Sequence, residues 1–335
     1  MDQKVRWGTL GTASITRRRF LPALRKSNKS VAFAVASRDS AKAEEFAAEF
    51  YIPRHYGSYE ELLADPDVEA VYVPLPNDLH AEWTMKAADA GKHVLCEKPM
   101  AVSRDEAVAM ATRCRERNVL LMEGFMYRLN PRTIRIKEMV DRAVLGEVKT
   151  VIAQFGFTID PQNTRLNSSK GAGSLMDVGS YCINVSRHMF GEQPLWAMAS
   201  QQLHPEFGCD MSTTAVLGFS RDKTALVSCG FENSFRSSLE VVGTKGVLKA
   251  EPFFTPPNEG ISSFSIRANN ETQVVESPAV DQFLVETDHF ADCVRGRSKI
   301  ALDPYQDAIP NAAAIDSIRL SAESGQRVEI PAVQS

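Results

Sequence analysis

Apolar and polar residues follow two different periods over the first third of the chain. Short β-branched and aliphatic runs have the length of strands, and the segments between them repeat apolar residues every three or four positions, as amphipathic helices do. The predicted strands are Val5–Gly11, Val31–Ser37, Val68–Pro76, His93–Lys98 and Val119–Phe125. The predicted helices are Ser14–Lys26, Ser40–Phe50, Leu79–Ala90 and Ser103–Arg117, with Ser40 and Ser103 as N-cap residues. This alternation through short links predicts a parallel, doubly wound sheet of the α/β class.

The pattern changes after about residue 122, where strand-like runs follow one another. Consecutive strands joined by hairpins form antiparallel sheets, so we expect a second, α+β domain with an open, mostly antiparallel sheet. Its predicted strands are Thr150–Ile159, Leu195–Leu203, Ser212–Phe219, Ala225–Phe231, Leu239–Val242 and Val247–Ala250, with a hairpin turn at Gly243–Gly246. Its predicted helices are Pro131–Ala143, Ser174–Phe190, Asp281–Arg295 and Tyr305–Ser324. The expected domains are 1–122 and 123–335, with a C-terminal helix able to pack back on the first.

The composition is that of a folded protein of about two domains. The chain has 335 residues, 44% of them hydrophobic and 24% charged. Lys and Arg total 38 against 42 Asp and Glu, a formal net charge of −4, so we expect no nucleic-acid or membrane-surface partner. No apolar run approaches the roughly 20 residues that cross a bilayer, and no signal peptide is visible at the start. The six cysteines form no CxxC pair, which favours reduced thiols and a cytoplasmic location.

A glycine-containing turn links the first predicted strand to the first helix. In Gly8-Thr-Leu-Gly11-Thr-Ala13-Ser-Ile-Thr16, the three places of a GxGxxG motif are filled by Gly11, Ala13 and Thr16. Such a turn lets backbone N–H groups and the helix N-terminus face a pyrophosphate. The motif is imperfect, and a plain tight turn would also give it. Its position at the first turn of a doubly wound sheet favours dinucleotide binding.

The end of the second predicted strand indicates which dinucleotide binds. NAD-binding units usually place an acidic residue there for the ribose 2′-hydroxyl, whereas an arginine accommodates a 2′-phosphate. This chain has Ser37-Arg38, with Lys42 one turn into the helix. Because arginine pairs with phosphate through two hydrogen bonds, NADP is the expected cofactor and NAD the alternative. A solvated arginine at a helix start is the other interpretation of Arg38.

Two further strand ends are expected at the same edge of the sheet. Pro74-Leu-Pro-Asn77 closes one strand, with His80 three residues on, and Glu97-Lys98-Pro99 closes the next. Ligands of open α/β sheets bind beyond the carboxyl ends of the strands. The position of Lys98 therefore favours a catalytic residue over a surface lysine.

The second domain carries polar residues along one predicted helix face. Asp177 and Tyr181, four residues apart, share that face, and Asn184 and His188 extend it. A tyrosine near a cationic lysine ionises more readily and can act as a general base towards an alcohol. The alternative is a buried tyrosine whose hydroxyl is bonded by Asp177, and His188 is expected to be structural. No two histidines have the spacing of metal ligands on a helix, so no metal site is expected.

These motifs, in this order and spacing, resemble those of the Gfo/Idh/MocA oxidoreductases, the glucose–fructose oxidoreductase and inositol dehydrogenase family. The resemblance covers nearly the whole chain. It implies an N-terminal Rossmann domain, a C-terminal domain with an open antiparallel sheet, and dimers or tetramers built through that sheet. Tyr181 stands where many members have histidine, as in the branch of glucose–fructose oxidoreductase and dihydrodiol dehydrogenase.

The resemblance also implies roles for particular residues. Glu97-Lys98-Pro99 matches the EKP motif of the family, so Lys98 is the expected catalytic lysine, with Tyr181 and Asp177 as its catalytic partners. Arg165 matches an arginine that approaches the cofactor in related reductases. The expected cofactor-binding residues are Gly11, Thr12, Ala13, Ser14, Ile15, Arg18, Arg19, Ser37, Arg38, Leu75, Pro76, Asn77, His80, Glu97, Lys98 and Arg165.

We expect an NADP(H)-dependent sugar oxidoreductase that moves a hydride between nicotinamide C4 and a carbinol carbon. Tyr181 and Lys98 would handle the hydroxyl proton, and the sequence leaves open which of them donates it. Phe253-Phe-Thr-Pro-Pro257 and Arg18-Arg19 are similar to nucleotide-sugar 3-ketoreductases, while the remaining pattern equally resembles aldose 1-dehydrogenases and dihydrodiol dehydrogenases. A dehydrogenase of small diols is the first alternative, and an NADP(H)-binding regulator without turnover is the second.

Overall fold

The computed structural model describes residues 4–167, 171–268 and 271–332. Its α-helices are α1 (Leu21–Lys26), α2 (Ser40–Phe50), α3 (Tyr59–Ala64), α4 (His80–Asp89), α5 (Arg104–Glu116), α6 (Pro131–Asp141), α7 (Thr164–Asn167), α8 (Ser180–Phe190), α9 (Gln282–Val294) and α10 (Ala308–Ser324). Its strands are β1 (Val5–Leu10), β2 (Ser30–Ala36), β3 (Arg54–Tyr56), β4 (Ala70–Val73), β5 (His93–Cys96), β6 (Leu121–Glu123), β7 (Val148–Thr158), β8 (Trp196–Leu203), β9 (Asp210–Gly218), β10 (Thr224–Gly230), β11 (Glu232–Gly243), β12 (Gly246–Ala250), β13 (Ile261–Ala268), β14 (Glu271–Pro278) and β15 (Val328–Glu329). None of the helices within these residues is long and apolar enough to cross a bilayer.

The chain divides into two compact units. The first comprises the chain up to Ala101 together with Asp105–Met126 and Asp281–Ala308. The second comprises Val102–Arg104, Tyr127–Val280 and the chain from Ile309 onward. Helix α9 therefore belongs to the first unit although it lies late in the sequence.

The first unit is built on a six-stranded sheet in the order β3-β2-β1-β4-β5-β6. Every pairing in it is parallel. Strand β4 is buried at all four positions, as expected where helices cover both faces of a sheet. The strand order reverses between β1 and β4, which is the topological switch point where such sheets bind ligands. The predicted doubly wound parallel sheet is confirmed.

Aromatic contacts attach α9 to this sheet. The Trp7 ring on β1 is fully buried and meets Phe290 of α9 at a centroid distance of 5.2 Å. Phe20 packs edge-on against Trp7 at 5.4 Å and stacks on Tyr72 of β4 at 3.9 Å. Burial of such rings, each worth several kcal/mol by area, explains why this late helix joins the first unit.

The second unit is built on a nine-stranded sheet in the order β14-β13-β12-β11-β7-β10-β9-β8-β15. Strands β7 and β10 pair in parallel, and the remaining pairings are antiparallel. Helix α8, almost wholly buried, packs against β7 and β10. The open, mostly antiparallel sheet is confirmed, and so is the hairpin between β11 and β12, where Val242 pairs with Val247.

Other features differ from the sequence predictions. The pattern does not predict β13 and β14, because Ser262 takes one of the inward positions of β13 beside Phe264 and Ile266 and dilutes its apolar signal. The predicted N-cap at Ser40 is wrong. Asp39 caps α2 instead, since its side chain accepts hydrogen bonds from the backbone of Ala41 and Lys42, and an ionised acceptor suits the positive end of a helix.

Replacing Phe290 by alanine should lower the free energy of unfolding by about 3–5 kcal/mol, because it removes a fully buried ring and leaves a cavity beside Trp7. Urea unfolding followed by circular dichroism measures the loss. Tyr51→Ala is the matched control, since this aromatic ring of the same unit is 86% exposed and its loss should cost less than about 1 kcal/mol. Equal losses from the two variants would contradict the role given to Phe290.

Candidate active site

The turn after β1 is shaped to let a ligand approach the backbone. Gly11 has φ +93°, a left-handed conformation that favours glycine, and its N–H donates to the carbonyl of Ala36 at the end of β2 (2.8 Å). A Cβ at Gly11 would lie 3.3 Å from Leu75 and 3.4 Å from the hydroxyl of Tyr59. The helix opens immediately afterwards at Ser14, so its unpaired N–H groups begin at this turn. The arrangement fits a pyrophosphate.

The residues that follow Gly11 differ in how far they are exposed. Thr12, Ala13 and Ile15 are half-buried, whereas Thr16, in the third place of the motif, is fully buried. A buried residue there packs the helix on the sheet, which is the purpose of the third glycine in the usual motif. Arg18 and Arg19 are exposed just beyond.

The end of β2 presents an exposed arginine beside a buried serine. Ser37 is 9% exposed, and its hydroxyl accepts a hydrogen bond from the N–H of Asp39 (3.2 Å). The Asp39 side chain caps α2 by accepting hydrogen bonds from the N–H groups of Ala41 and Lys42. The acidic residue nearest this strand end is therefore already hydrogen-bonded within the protein. Arg38 is exposed at the strand tip and makes no part of this cap.

Tyr59 is a residue of this region that the sequence pattern does not identify. It is 6% exposed, and its ring packs edge-on against Trp83 at 4.7 Å. Burial raises the pKa of its hydroxyl, and the nearby Arg38 guanidinium acts in the opposite direction. The hydroxyl thus lies near both Arg38 and Gly11. The short helix α3 that carries Tyr59 is not among the predicted elements, so nothing in the periodicity indicated it.

The end of β4 is joined to the end of β5 by a buried histidine. His80 is fully buried, with Nε2 2.8 Å from the carbonyl of Leu75 and Nδ1 2.9 Å from the carbonyl of Pro99. Burial lowers the pKa of His80. Each ring nitrogen lies within hydrogen-bond distance of a backbone carbonyl, so His80 links the loop after β4 to the loop after β5. Leu75 and Asn77 are half-buried in the first loop, and Pro76 is exposed.

Glu97 and Lys98 follow β5 directly. The Glu97 carboxylate accepts hydrogen bonds from the hydroxyl of Tyr72 (2.5 Å) and from the N–H of Lys98 (3.3 Å). Lys98 is half-buried and precedes the buried Pro99. The Lys98 N–H is thus held by the Glu97 carboxylate, and the peptide that follows is held by the His80 ring at the Pro99 carbonyl.

Glu286 on α9 is a second carboxyl near this strand end. It is fully buried, and among the described residues neither of its oxygens has a hydrogen-bond partner. Burial raises the pKa of Glu286 well above its usual range, and the negative charge of Glu97 adds to the effect. A neutral carboxyl is therefore expected at this position. Tertiary packing alone brings it there, so no sequence spacing could indicate it.

In the second unit, Asp177 lies in a π-helical turn, Leu175–Gly179, that leads into α8. Its carboxylate is 2.9 Å from Nε of Arg165, whose side chain is half-exposed. Such turns are rare and occur frequently at functional sites. The structure brings Arg165 and Asp177 together, a pairing that the sequence pattern does not predict.

Tyr181 is one turn further along and lies among aromatic rings. It is 5% exposed, with ring centroids of Tyr127, Phe155 and Phe254 at 5.7, 5.3 and 5.3 Å. Asn184, on the same helix, is fully buried, and its amide oxygen accepts hydrogen bonds from the hydroxyl of Tyr127 (2.5 Å) and from Arg128 (3.0 Å).

The last member of this polar stripe, His188, is half-buried. Burial lowers the pKa of His188 well below its usual range, and the positive charges of Arg128, Lys137 and Arg187 act in the same direction. A neutral histidine is therefore expected there. Together with the bonded Asn184, it leaves Asp177 and Tyr181 as the candidate functional side chains of α8 and its leading turn.

The sequence matches known families over both units. Residues 5–125 match an oxidoreductase family described as having an NAD-binding Rossmann fold, and residues 133–249 match the GFO/IDH/MocA C-terminal domain. The chain belongs to the Gfo/Idh/MocA oxidoreductase family. These matches confirm the expected family, its expected fold of two units and the expected oxidoreductase activity.

Relatives within the family share the full length of the chain. D-xylose 1-dehydrogenase (NADP(+)) 2 of Haloferax volcanii is 36% identical, over 97% of this chain and 99% of that protein. The dTDP-3,4-didehydro-2,6-dideoxy-alpha-D-glucose 3-reductase of Saccharopolyspora spinosa is 34% identical, over 97% and 99%. The crystal structure of a 3-ketoreductase from Actinomadura kijaniata, in complex with NADP and TDP-benzene, superimposes with a TM-score of 0.89 at 32% identity, covering 95% of this chain and 98% of the other.

Proposed function

We propose that this protein is an NADP(H)-dependent oxidoreductase that transfers a hydride to or from a carbinol or carbonyl carbon of a sugar or sugar derivative. The observation that carries the proposal is the carboxyl edge of the parallel sheet. There the Gly11 turn, exposed Arg38 and half-buried Lys98 follow three of its strands. This is the edge at which doubly wound sheets bind dinucleotides.

Backbone groups from Gly11 to Ile15 would hold the pyrophosphate of the cofactor, and Ser37 and Arg38 its 2′-phosphate. Arg38 supports NADP, because the acidic residue that follows it, Asp39, accepts the N–H groups of its own helix start and pairs with Lys42 instead of facing a ribose 2′-hydroxyl. When bound, the nicotinamide would supply or accept the hydride. Leu75, Pro76, Asn77, His80 and Glu97 would line or position the nicotinamide end, with Arg18, Arg19 and Arg165 as further phosphate or cofactor contacts.

The proton that accompanies hydride transfer would be handled by Tyr181 and Lys98. In oxidation, Tyr181 accepts the hydroxyl proton while Lys98 holds the substrate oxygen and stabilises the phenolate by its charge. In reduction the flow reverses. Asp177, held by Arg165, would orient the hydroxyl groups of the substrate.

The relatives support a carbohydrate substrate, since one is a xylose dehydrogenase and another a reductase of a nucleotide-linked deoxysugar. A dehydrogenase of small diols and a regulator without turnover are the alternatives. Quenching of NADPH fluorescence, followed by a spectrophotometric screen of aldoses, nucleotide-linked ketosugars and diols, separates the three. Turnover of sugars supports the proposal, turnover of diols alone favours the first alternative, and tight binding without any turnover favours the second.

Arg38→Ala should weaken NADP⁺ binding by about 1.5–3 kcal/mol, the effect of losing a charged hydrogen bond, and should leave NAD⁺ nearly unchanged. Fluorescence titration with each cofactor measures both. Lys42→Ala is the control, because Lys42 is exposed and pairs with Asp39 (3.6 Å). Tyr59→Phe should act in the same direction as Arg38→Ala but less strongly. Equal loss for the two cofactors in Arg38→Ala would overturn the assignment.

Lys98→Ala and Tyr181→Phe should each lower kcat by about 10²–10⁴, the usual contribution of general acid–base catalysis. The double variant should lose little more than the worse single variant, because groups that act on one proton are not additive. NADPH affinity should survive Tyr181→Phe. Single-turnover hydride transfer at several pH values measures the step. Were Tyr181→Phe to keep the parent rate and pH profile, Tyr181 would be a packing residue.

We also propose that the protein forms a homodimer or homotetramer through the sheet of the second unit. Met198, Val216, Leu226 and Ile152 are in register across β8, β9, β10 and β7. Met198 and Leu226 are 53% and 41% exposed, and the other two are half-buried. An apolar row of this kind on a sheet face favours burial against a second copy.

Leu226→Glu should therefore shift the protein to monomers, because it places a charge in the row. Sedimentation velocity at micromolar concentration measures the state. The control is Leu320→Glu, at an exposed leucine of α10, which should leave the assembly unchanged. A monomer in the unmodified protein would contradict the proposal.

A further inference from the structure

Asp210 is a buried carboxylate at the start of β9 and is not one of the candidate site residues. It is 6% exposed. One of its oxygens, Oδ2, accepts three hydrogen bonds, from the Ser174 hydroxyl (2.6 Å), the N–H of Leu175 (2.7 Å) and the Thr213 hydroxyl (2.9 Å). Two of the three donors belong to the start of the helical segment that carries Asp177 and Tyr181.

The first N–H groups of a helix have no partner within it and need an acceptor. Ser174, the N-cap residue of this segment, makes no capping hydrogen bond with its own side chain. Asp210 supplies the acceptor from a neighbouring strand and binds the Ser174 hydroxyl as well. Its negative charge suits the positive end of the helix. The helix start is thus fixed to the sheet by one carboxylate.

Gly173 packs against Asp210 and is hydrogen-bonded to both Arg165 and Asp177. It has φ +101°, and a Cβ there would lie 2.0 Å from Oδ1 of Asp210, so only glycine allows the carboxylate so close. The Gly173 N–H donates to the carbonyl of Arg165 (3.1 Å), and its carbonyl accepts from the N–H of Asp177 (3.2 Å). Both members of the Arg165–Asp177 ion pair are therefore hydrogen-bonded to the residue that packs on Asp210.

We propose that Asp210 is a positioning residue for the reaction, acting through Ser174, Leu175 and Gly173 to hold Asp177 and Tyr181 in their working geometry. The inference rests on the proposed function in one respect, namely that Asp177 and Tyr181 act on the substrate. Misplacement of a catalytic group by about 1 Å can cost on the order of 10²-fold in rate. The loss of a hydrogen bond between Asp210 and the helix start can therefore lower kcat as well as the stability of the fold.

Two variants separate positioning from plain stabilisation. Ser174→Ala and Thr213→Val each remove one donor to the same oxygen of Asp210, and both parent residues are at most 1% exposed. Only Ser174 belongs to the helical segment, whereas Thr213 lies on β9 beside Asp210. We would measure the melting temperature, NADPH affinity, and kcat and KM with the sugar found in the substrate screen.

Both variants should lower the melting temperature to a similar extent and leave NADPH affinity unchanged. Ser174→Ala should lower kcat between about 10-fold and 100-fold, while Thr213→Val should keep kcat within about 2-fold. Asp210→Asn, whose amide oxygen still accepts from Ser174 and Leu175, should recover most of the activity that Asp210→Ala loses. Equal kcat in Ser174→Ala and Thr213→Val would overturn the proposal even if Asp210→Ala fails to fold.

Asp177→Asn and Tyr181→Phe, measured in parallel, distinguish this failure from failure of the proposed function. If they lose activity and Ser174→Ala does not, the role of Asp210 is wrong and the proposed function stands. If they keep full activity, the proposed function fails at these residues, and the positioning role fails with it. Adding Ser174→Ala to Asp177→Asn should lower kcat by a smaller factor than Ser174→Ala does alone, because part of the effect of the serine passes through the aspartate and the rest through Tyr181.

Discussion

Parallel pairing of β1 with β2 and β4 places the chemistry of the first unit. Backbone hydrogen bonds join the carboxyl ends of neighbouring strands: the Gly11 N–H after β1 donates to Ala36 of β2, and the Glu97 N–H after β5 donates to Val73 of β4 (3.1 Å). The residues at the strand tips are therefore positioned by main-chain groups that do not depend on side-chain identity. This explains why a turn with Ala13 and Thr16 in glycine places can keep its shape, provided that Gly11 retains its left-handed conformation.

The second unit places its functional groups differently, through buried side chains. Asp177 depends on Arg165, the helix start depends on Asp210, and the helix beyond Tyr181 depends on the bonds that Tyr127 and Arg128 make to Asn184. Leaving a buried polar group unpaired costs about 1–3 kcal/mol, so each of these contacts constrains its neighbours. Substitutions here should change geometry, whereas those at the strand tips of the first unit should mainly change contacts with a ligand.

This difference decides how much could be predicted from the sequence. Periodicity predicts strands and the residues that follow them, so the sequence indicates Gly11, Arg38 and Lys98 as candidate site residues. It carries no information on pairs that only tertiary packing creates. Asp210 is 36 residues from Ser174. Glu286 approaches Glu97 because α9 packs on the first sheet, through the rings of Trp7 and Phe290 and ion pairs such as Lys29–Asp292 (2.6 Å). Strand β13 escapes prediction because a serine occupies an inward position.

Glu97 and Glu286 illustrate how burial distributes charge beside Lys98, the proposed catalytic lysine. Two neighbouring carboxyl groups in a buried site do not both ionise readily, because like charges repel and desolvation opposes each charge. Glu97 has donors for its negative charge, the Tyr72 hydroxyl and the Lys98 N–H. Glu286 has no such donor among the described residues, and burial and the charge of Glu97 both raise its pKa, which favours its neutral form. The negative charge of Glu97 then lies on a carboxylate that is hydrogen-bonded to the backbone of Lys98.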